Sequence, residues 1–124
     1  MTARRALRLA VAALPLVAGF PAAGAGDAAR GKDVYETLCA ACHSPDSNRV
    51  GPAHRGVYGR KAGTASGYSY SSALANSQLT WTDATLERWL ANPEALVPGQ
   101  KMGVRVSDEA DRRDVIEYLK TLSR

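Results

Sequence analysis

Cys39, Cys42 and His43 stand together in the run Cys39-Ala40-Ala41-Cys42-His43, which holds both cysteines of the chain and one of its two histidines. Three kinds of chemistry fit such a cluster. A disulfide would close a loop so short that it constrains the unfolded chain very little. A thioredoxin-like redox pair needs a βαβ setting, and no parallel-strand run of Val and Ile flanks this motif. Attachment of a c-type haem uses all three residues. The thiols add across the two vinyl groups, and the histidine that follows meets the iron from the same turn of backbone. The iron then needs a second axial ligand, for which Met102 and His54 are the candidates. Met102 lies in Pro98-Gly99-Gln100-Lys101-Met102-Gly103, a stretch with no helical or strand period. That context suits a thioether ligand on a loop folding over the haem better than a core residue of a helix. His54 follows His43 by 11 residues and reads as a surface residue, or one that supports the ligands from behind.

Compartment decides between these chemistries. Arg4, Arg5 and Arg8 open the chain, an apolar stretch runs from Leu9 to Phe20, and Ala23-Gly24-Ala25 offers a small-residue cleavage site. This is the layout of a secretory signal peptide over residues 1–25, with the mature domain over 26–124. The apolar stretch has 12 residues and contains Pro15, against the roughly 20 needed to span a bilayer, so a retained anchor is the weaker alternative. Cleavage leaves 99 of the 124 residues. It also removes three arginines, so the formal net charge falls from +4 to +1, with 13 basic against 12 acidic side chains. Nucleic-acid binding thereby loses its compositional support. A C-x-x-C-H motif behind an export signal points to one covalently attached haem c. A domain of this size is short of core, and such a cofactor would staple it.

Short helices must position these residues. Asp27 caps a helix running to about Leu38, whose Gly31, Val34, Tyr35 and Leu38 share one face. Residues 44–67 carry repeated Gly and Pro and read as loop, and residues 70–75 suit a short helix. Thr82 is an N-cap, with Trp81 before it placed to staple onto Leu86. That helix ends at Ala91-Asn92 because Pro93 follows, and it buries Leu86, Trp89 and Leu90. Ser107 is the expected cap of the last helix, whose stripe is Val115, Tyr118, Leu119 and Leu122. Gly31 would let the first and last helices cross closely. No GxGxxG, P-loop, HExxH or GxSxG motif is present.

Together these residues resemble a class I cytochrome c of the small, soluble, single-haem type, similar to bacterial cytochrome c2 and mitochondrial cytochrome c. The resemblance covers nearly all of residues 26–122. It runs through Gly31, Tyr35, Cys39-Ala-Ala-Cys42-His43, Gly51-Pro52, Gly56-Val57-Tyr58-Gly59-Arg60-Lys61, Gly67-Tyr68, Tyr70 and Trp81. It continues with Trp89-Leu90, Asn92-Pro93, Pro98-Gly99, Lys101-Met102 and Tyr118-Leu119. It implies an all-α cytochrome c fold, in which short helices and loops wrap one covalent haem and the terminal helices cross. It implies His43 and Met102 as axial ligands, with the Pro52 carbonyl accepting the other ring N–H of His43. Arg60, Tyr70 and Trp81 would face the haem propionates, and Trp89 stands where many relatives have a tyrosine near the methionine sulfur.

Four departures stand out. His54 replaces a leucine usual against the haem, and Val104 a phenylalanine common two residues after the methionine. Gln100 replaces a threonine that supports a propionate. Glu94 and Ala95 fall where lysines are frequent, though Lys101 remains.

The implied function is a periplasmic electron carrier, monomeric and not an enzyme. Its redox partners would be proteins such as a quinol–cytochrome c reductase, a terminal oxidase, a reaction centre or a periplasmic dehydrogenase. Two rivals, a small peroxidase-like haem enzyme and a haem-based gas sensor, need an open or labile sixth position, which a bound Met102 would fill.

Overall fold

The computed structural model describes residues 25–123 and Gly19. The expected signal peptide therefore lies almost wholly outside the described residues. Among the described residues five helices follow in order: α1 Ala28–Leu38, α2 Ser72–Ala75, α3 Asp83–Ala91, α4 Pro93–Leu96 and α5 Glu109–Thr121. Among the described residues there is no β-strand, only an isolated antiparallel bridge between Lys61 and Thr80. The class is all-α, as the resemblance implies.

Local chemistry explains where the helices begin. The Asp27 carboxylate accepts from the N–H groups of Ala29 and Arg30 at 2.8 and 3.2 Å, so α1 starts where expected. Ser71 caps α2 through the Leu74 N–H. Thr82 and Thr85 form a reciprocal capping box at the head of α3. Trp81 and Leu86, the expected staple pair, are both buried in the same core cluster. Asn92 ends α3 and also caps α4, accepting from Ala95 N–H at 3.2 Å. Pro93 thus does more than stop a helix. Its fixed φ and missing donor suit the first position of the next one, so α4 follows directly and was not foreseen. The cap of α5 also differs from the expectation. Asp108, not Ser107, accepts the Asp111 N–H at 3.0 Å, and its carboxylate favours the helix dipole more than a hydroxyl would.

The terminal helices α1 and α5 pack against each other, and α3 packs on α5. Gly31 permits the first contact, because a Cβ there would sit 1.9 Å from the Asp114 carbonyl oxygen and 3.0 Å from Tyr118 Cβ. The crossing is pinned by the buried Asp114, whose carboxylate accepts the Asp27 N–H at 2.7 Å. The core joins Tyr35 of α1, Leu86, Trp89 and Leu90 of α3, Val106, Val115, Ile116 and Leu119 of α5, and Leu122 just after it. Leu38 departs from the expected stripe: it is 38 % exposed and lines a cleft beside α1.

Candidate functional site

That cleft, of about 270 Å³, lies between α1, the loop after it, α3 and the loop leading to α5. Cys39, Cys42, His43, Pro52, Arg60, Tyr70, Trp81, Trp89 and Met102 all line it. Residues 60 positions apart in the chain are thus brought to one place.

The end of α1 sets the first three. Cys39 is the C-cap, its N–H bonded to the Tyr35 carbonyl at 2.8 Å. The chain then turns tightly, with Cys42 and His43 N–H groups both donating to the Cys39 carbonyl at 3.1 and 2.9 Å. One turn therefore delivers two thiols and an imidazole to one wall. Burial, and then the neighbouring Cys42, push the Cys39 thiol up to about 11, so it is protonated near neutrality. No disulfide joins Cys39 to Cys42.

His43 is only 9 % exposed, and its Nδ1 lies 2.8 Å from the Pro52 carbonyl oxygen. A carbonyl can only accept, so Nδ1 carries the proton. Burial lowers the pKa of His43, and the Pro52 bond opposes this in part. The neutral ring then leaves Nε2 with its lone pair, which is the state a metal ligand needs. Gly51 makes room for this arrangement. A Cβ there would fall 2.2 Å from His43 Cε1, so the ring occupies the space any side chain would need. The sequence placed Gly51 in the shared pattern without giving it this task.

His54 takes the second of its two expected places and is partly buried. Its ring stacks on His43, with centroids 4.0 Å apart and planes 21° from parallel, and its Nδ1 is 3.0 Å from the Tyr35 hydroxyl. Burial, followed by the nearby His43 and Arg60, drives its pKa well below the ordinary histidine value, so it is neutral. The His54 ring thus packs face to face against the His43 ring.

Met102 is half-buried against the core, on a segment whose far end is tied to α3 by the Val106 N–H bond to the Leu90 carbonyl at 2.8 Å. Trp81 and Trp89 meet edge to face at 5.2 Å. Arg60 reaches the Arg55 and Ala53 carbonyls at 3.1 and 3.2 Å, and Tyr70 OH accepts the Ala65 N–H at 2.9 Å. Val50 and Val104 stand exposed at the rim, 74 % and 38 %.

This donor set fits a c-type haem. Two thiols can become thioethers, a neutral imidazole and a thioether sulfur share the cleft, and the walls are mostly apolar. No Asp or Glu lines the cleft, while Arg60 and Lys101 do, which suits a flat apolar ring bearing carboxylates. Fold and site together define a small helical domain that holds one haem covalently.

The comparisons agree. The family model for cytochrome c matches residues 28–123. Cytochrome c of Euglena viridis is 46 % identical over 100 residues, spanning 78 % of this chain and 98 % of that protein. Cytochrome c2 iso-2 of Magnetospirillum molischianum is 52 % identical over 91 residues, 69 % of this chain and 92 % of that one. The solved structure of cytochrome cH from Methylobacterium extorquens superposes with a TM-score of 0.74 at 49 % identity, covering 77 % of this chain and 99 % of that one. The chain belongs to the cytochrome c family. It is accordingly a single-haem electron carrier with covalently held haem, and not an enzyme.

Proposed function

We propose that the chain is exported to the periplasm, that His43 and Met102 are the two axial ligands, and that it moves single electrons between larger redox proteins. When bound, the haem supplies the ferrous–ferric couple. His43 presents Nε2 because Pro52 holds the opposite proton. Met102 contributes a soft, neutral sulfur, which favours the ferrous state. Arg60, Tyr70 and Trp81 line the side of the cleft where hydrogen-bond donors would meet the propionates. Trp89 packs edge to face on Trp81 and keeps water from the interior. The observation that carries the reading is the convergence of His43, Met102 and both thiols on one carboxylate-free, mostly apolar cleft. With both axial positions filled by side chains, there is no place for a substrate or a gas.

Export rests on residues 1–25, and no helix among the described residues is long and apolar enough to cross a membrane. Mass spectrometry of the periplasmic fraction should show a start near Gly26 and the added mass of one haem. A full-length chain in the membrane fraction would mean the leader is an anchor.

Docking to partners such as a quinol–cytochrome c reductase, a terminal oxidase, a reaction centre or a periplasmic dehydrogenase would use the rim of the cleft. Exposed Leu38, Val50 and Val104 supply apolar contact there. The charges are sparse. Of the five candidate basic residues, Arg55 is tied to Asp46, Arg49 donates to the Ala40 carbonyl, Lys101 donates to the Ser69 carbonyl at 2.9 Å, and Lys61 and Arg105 are exposed. Glu94 adds a negative charge close by. With a Debye length of about 8 Å in physiological salt, such a rim steers weakly. Electron transfer from a quinol–cytochrome c reductase should slow by less than about tenfold from low to physiological salt. A fall of two orders of magnitude would show that a local basic patch governs docking.

A further inference from the structure

Two of the residues that depart from the family pattern, Glu94 and Gln100, belong to one hydrogen-bond network around Met102. The segment after Pro98 has no helix or strand to satisfy its peptide groups, so each N–H and C=O there needs another partner. The Gln100 side chain supplies two. Its Oε1 accepts the Met102 N–H, and its Nε2 donates to the Met102 carbonyl at 2.9 Å. One side-chain amide thus grips both polar groups of one residue, as a neighbouring strand would. Glu94 holds that amide in turn: its Oε2 accepts from Gln100 Nε2 at 3.3 Å, and its Oε1 accepts the Gly99 N–H at 2.9 Å. Gly99 sits at φ +90°, the left-handed region that lets the chain double back to make these bonds. The Gln100 N–H closes the set on the Val97 carbonyl at 3.2 Å.

We infer that Gln100, held by Glu94, is a positioning residue that clamps the Met102 peptide and so keeps the thioether sulfur seated in the cleft. The inference rests on Met102 being the axial ligand and adds what holds it there. A methionine–iron bond is weak enough to be displaced by added ligands once its loop opens. The clamp acts on that local opening rather than on global unfolding, because the side-chain hydrogen bonds of Gln100 and Glu94 all run within residues 94–102. Fixing the Met102 Cα from both sides removes backbone freedom that the open loop would regain. In this chain the amide at position 100 therefore works on the methionine segment, and the carboxylate at position 94 works on the amide.

The test uses the haem-loaded ferric protein, with imidazole as the displacing ligand and the sulfur-to-iron charge-transfer band as the signal. Gln100→Ala should raise the rate of displacement about tenfold, as expected for the loss of two ordinary hydrogen bonds on a partly exposed loop. Glu94→Ala should raise it less. Glu94→Gln, which keeps an oxygen for the Gly99 N–H but turns an NH2 group toward Gln100 Nε2, should raise it as Glu94→Ala does. Denaturant midpoints followed by far-UV circular dichroism should barely move in any of the three. A Gln100→Ala rate within twofold of the parent overturns the clamp, and so does a rate increase matched by an equal loss of global stability. Absence of the band in the parent itself would overturn Met102 ligation, and the clamp with it.

Discussion

Replacing Met102 by Ala should abolish the sulfur-to-iron charge-transfer band and lower the midpoint potential by about 0.2 V or more, a sizeable part of the range of about 0.8 V that axial ligands span. The haem should stay attached, since Cys39 and Cys42 hold it independently of the sixth ligand. The size follows from what replaces the sulfur. A soft neutral thioether favours ferrous iron, whereas water or a nitrogen donor favours ferric. His54→Ala should leave the band in place, because that ring packs face to face against the His43 ring, with centroids 4.0 Å apart. The Met102 variant should also bind carbon monoxide in the ferrous state, which the parent should resist. Optical titration and a redox titration of the two variants decide the matter. A native band in the Met102 variant, lost instead in the His54 variant, would reverse the assignment.

The contrast between these two residues shows how far the sequence alone could reach. Helix starts were legible because capping is local: Asp27 and Thr82 meet their N–H partners within three residues. The thiols and His43 were legible because their spacing is itself the chemistry. Met102 could be proposed from a stretch without period, but its cleft is assembled from distant segments. Ser107 and Asp108 are adjacent polar residues, and the distinction between them as caps lies in backbone geometry that no pattern carries. For His54 the sequence leaves two places open, the surface or a position behind the ligands, because nothing local names its partners. Its true partners, Tyr35 and His43, lie 19 and 11 positions away and become neighbours only once the loop folds back. Glu94 and Gln100 looked like lost lysine and lost threonine, since a departure shows only what is missing. The clamp they form depends on the doubling back of the chain at Gly99.

The second large effect concerns folding. Cys39→Ala combined with Cys42→Ala should yield a chain without attached haem that loses about half or more of its far-UV helix signal. The reason is geometric. Tyr35, Trp81, Leu86, Trp89, Leu90, Val106, Val115 and Leu119 belong to the core and also line the cleft. The core is therefore not a closed body with a pocket beside it; one side of it is the cleft wall. Without the haem, these side chains lose the group they would pack against on the cleft side, and a domain of about 100 residues has little other apolar surface to bury. The polar contacts across α1 and α5 cannot compensate. Arg30 reaches Asp111 at 3.6 Å with side chains 61 % and 35 % exposed, and surface pairs of that kind contribute about 0–1 kcal/mol. The close approach at Gly31 gives the two helices a good fit, yet it needs both helices already formed, and isolated helices of 11 and 13 residues are marginal in water. A haem held by two thioether bonds stays on the chain in either state, but only the folded chain packs it in the cleft, so its loss removes contacts that favour folding. Circular dichroism of the double variant, with the haem-loaded parent as reference, measures this. A haem-free chain that kept the parent's helix signal and a cooperative thermal transition would mean that the α1–α5 crossing holds the fold by itself.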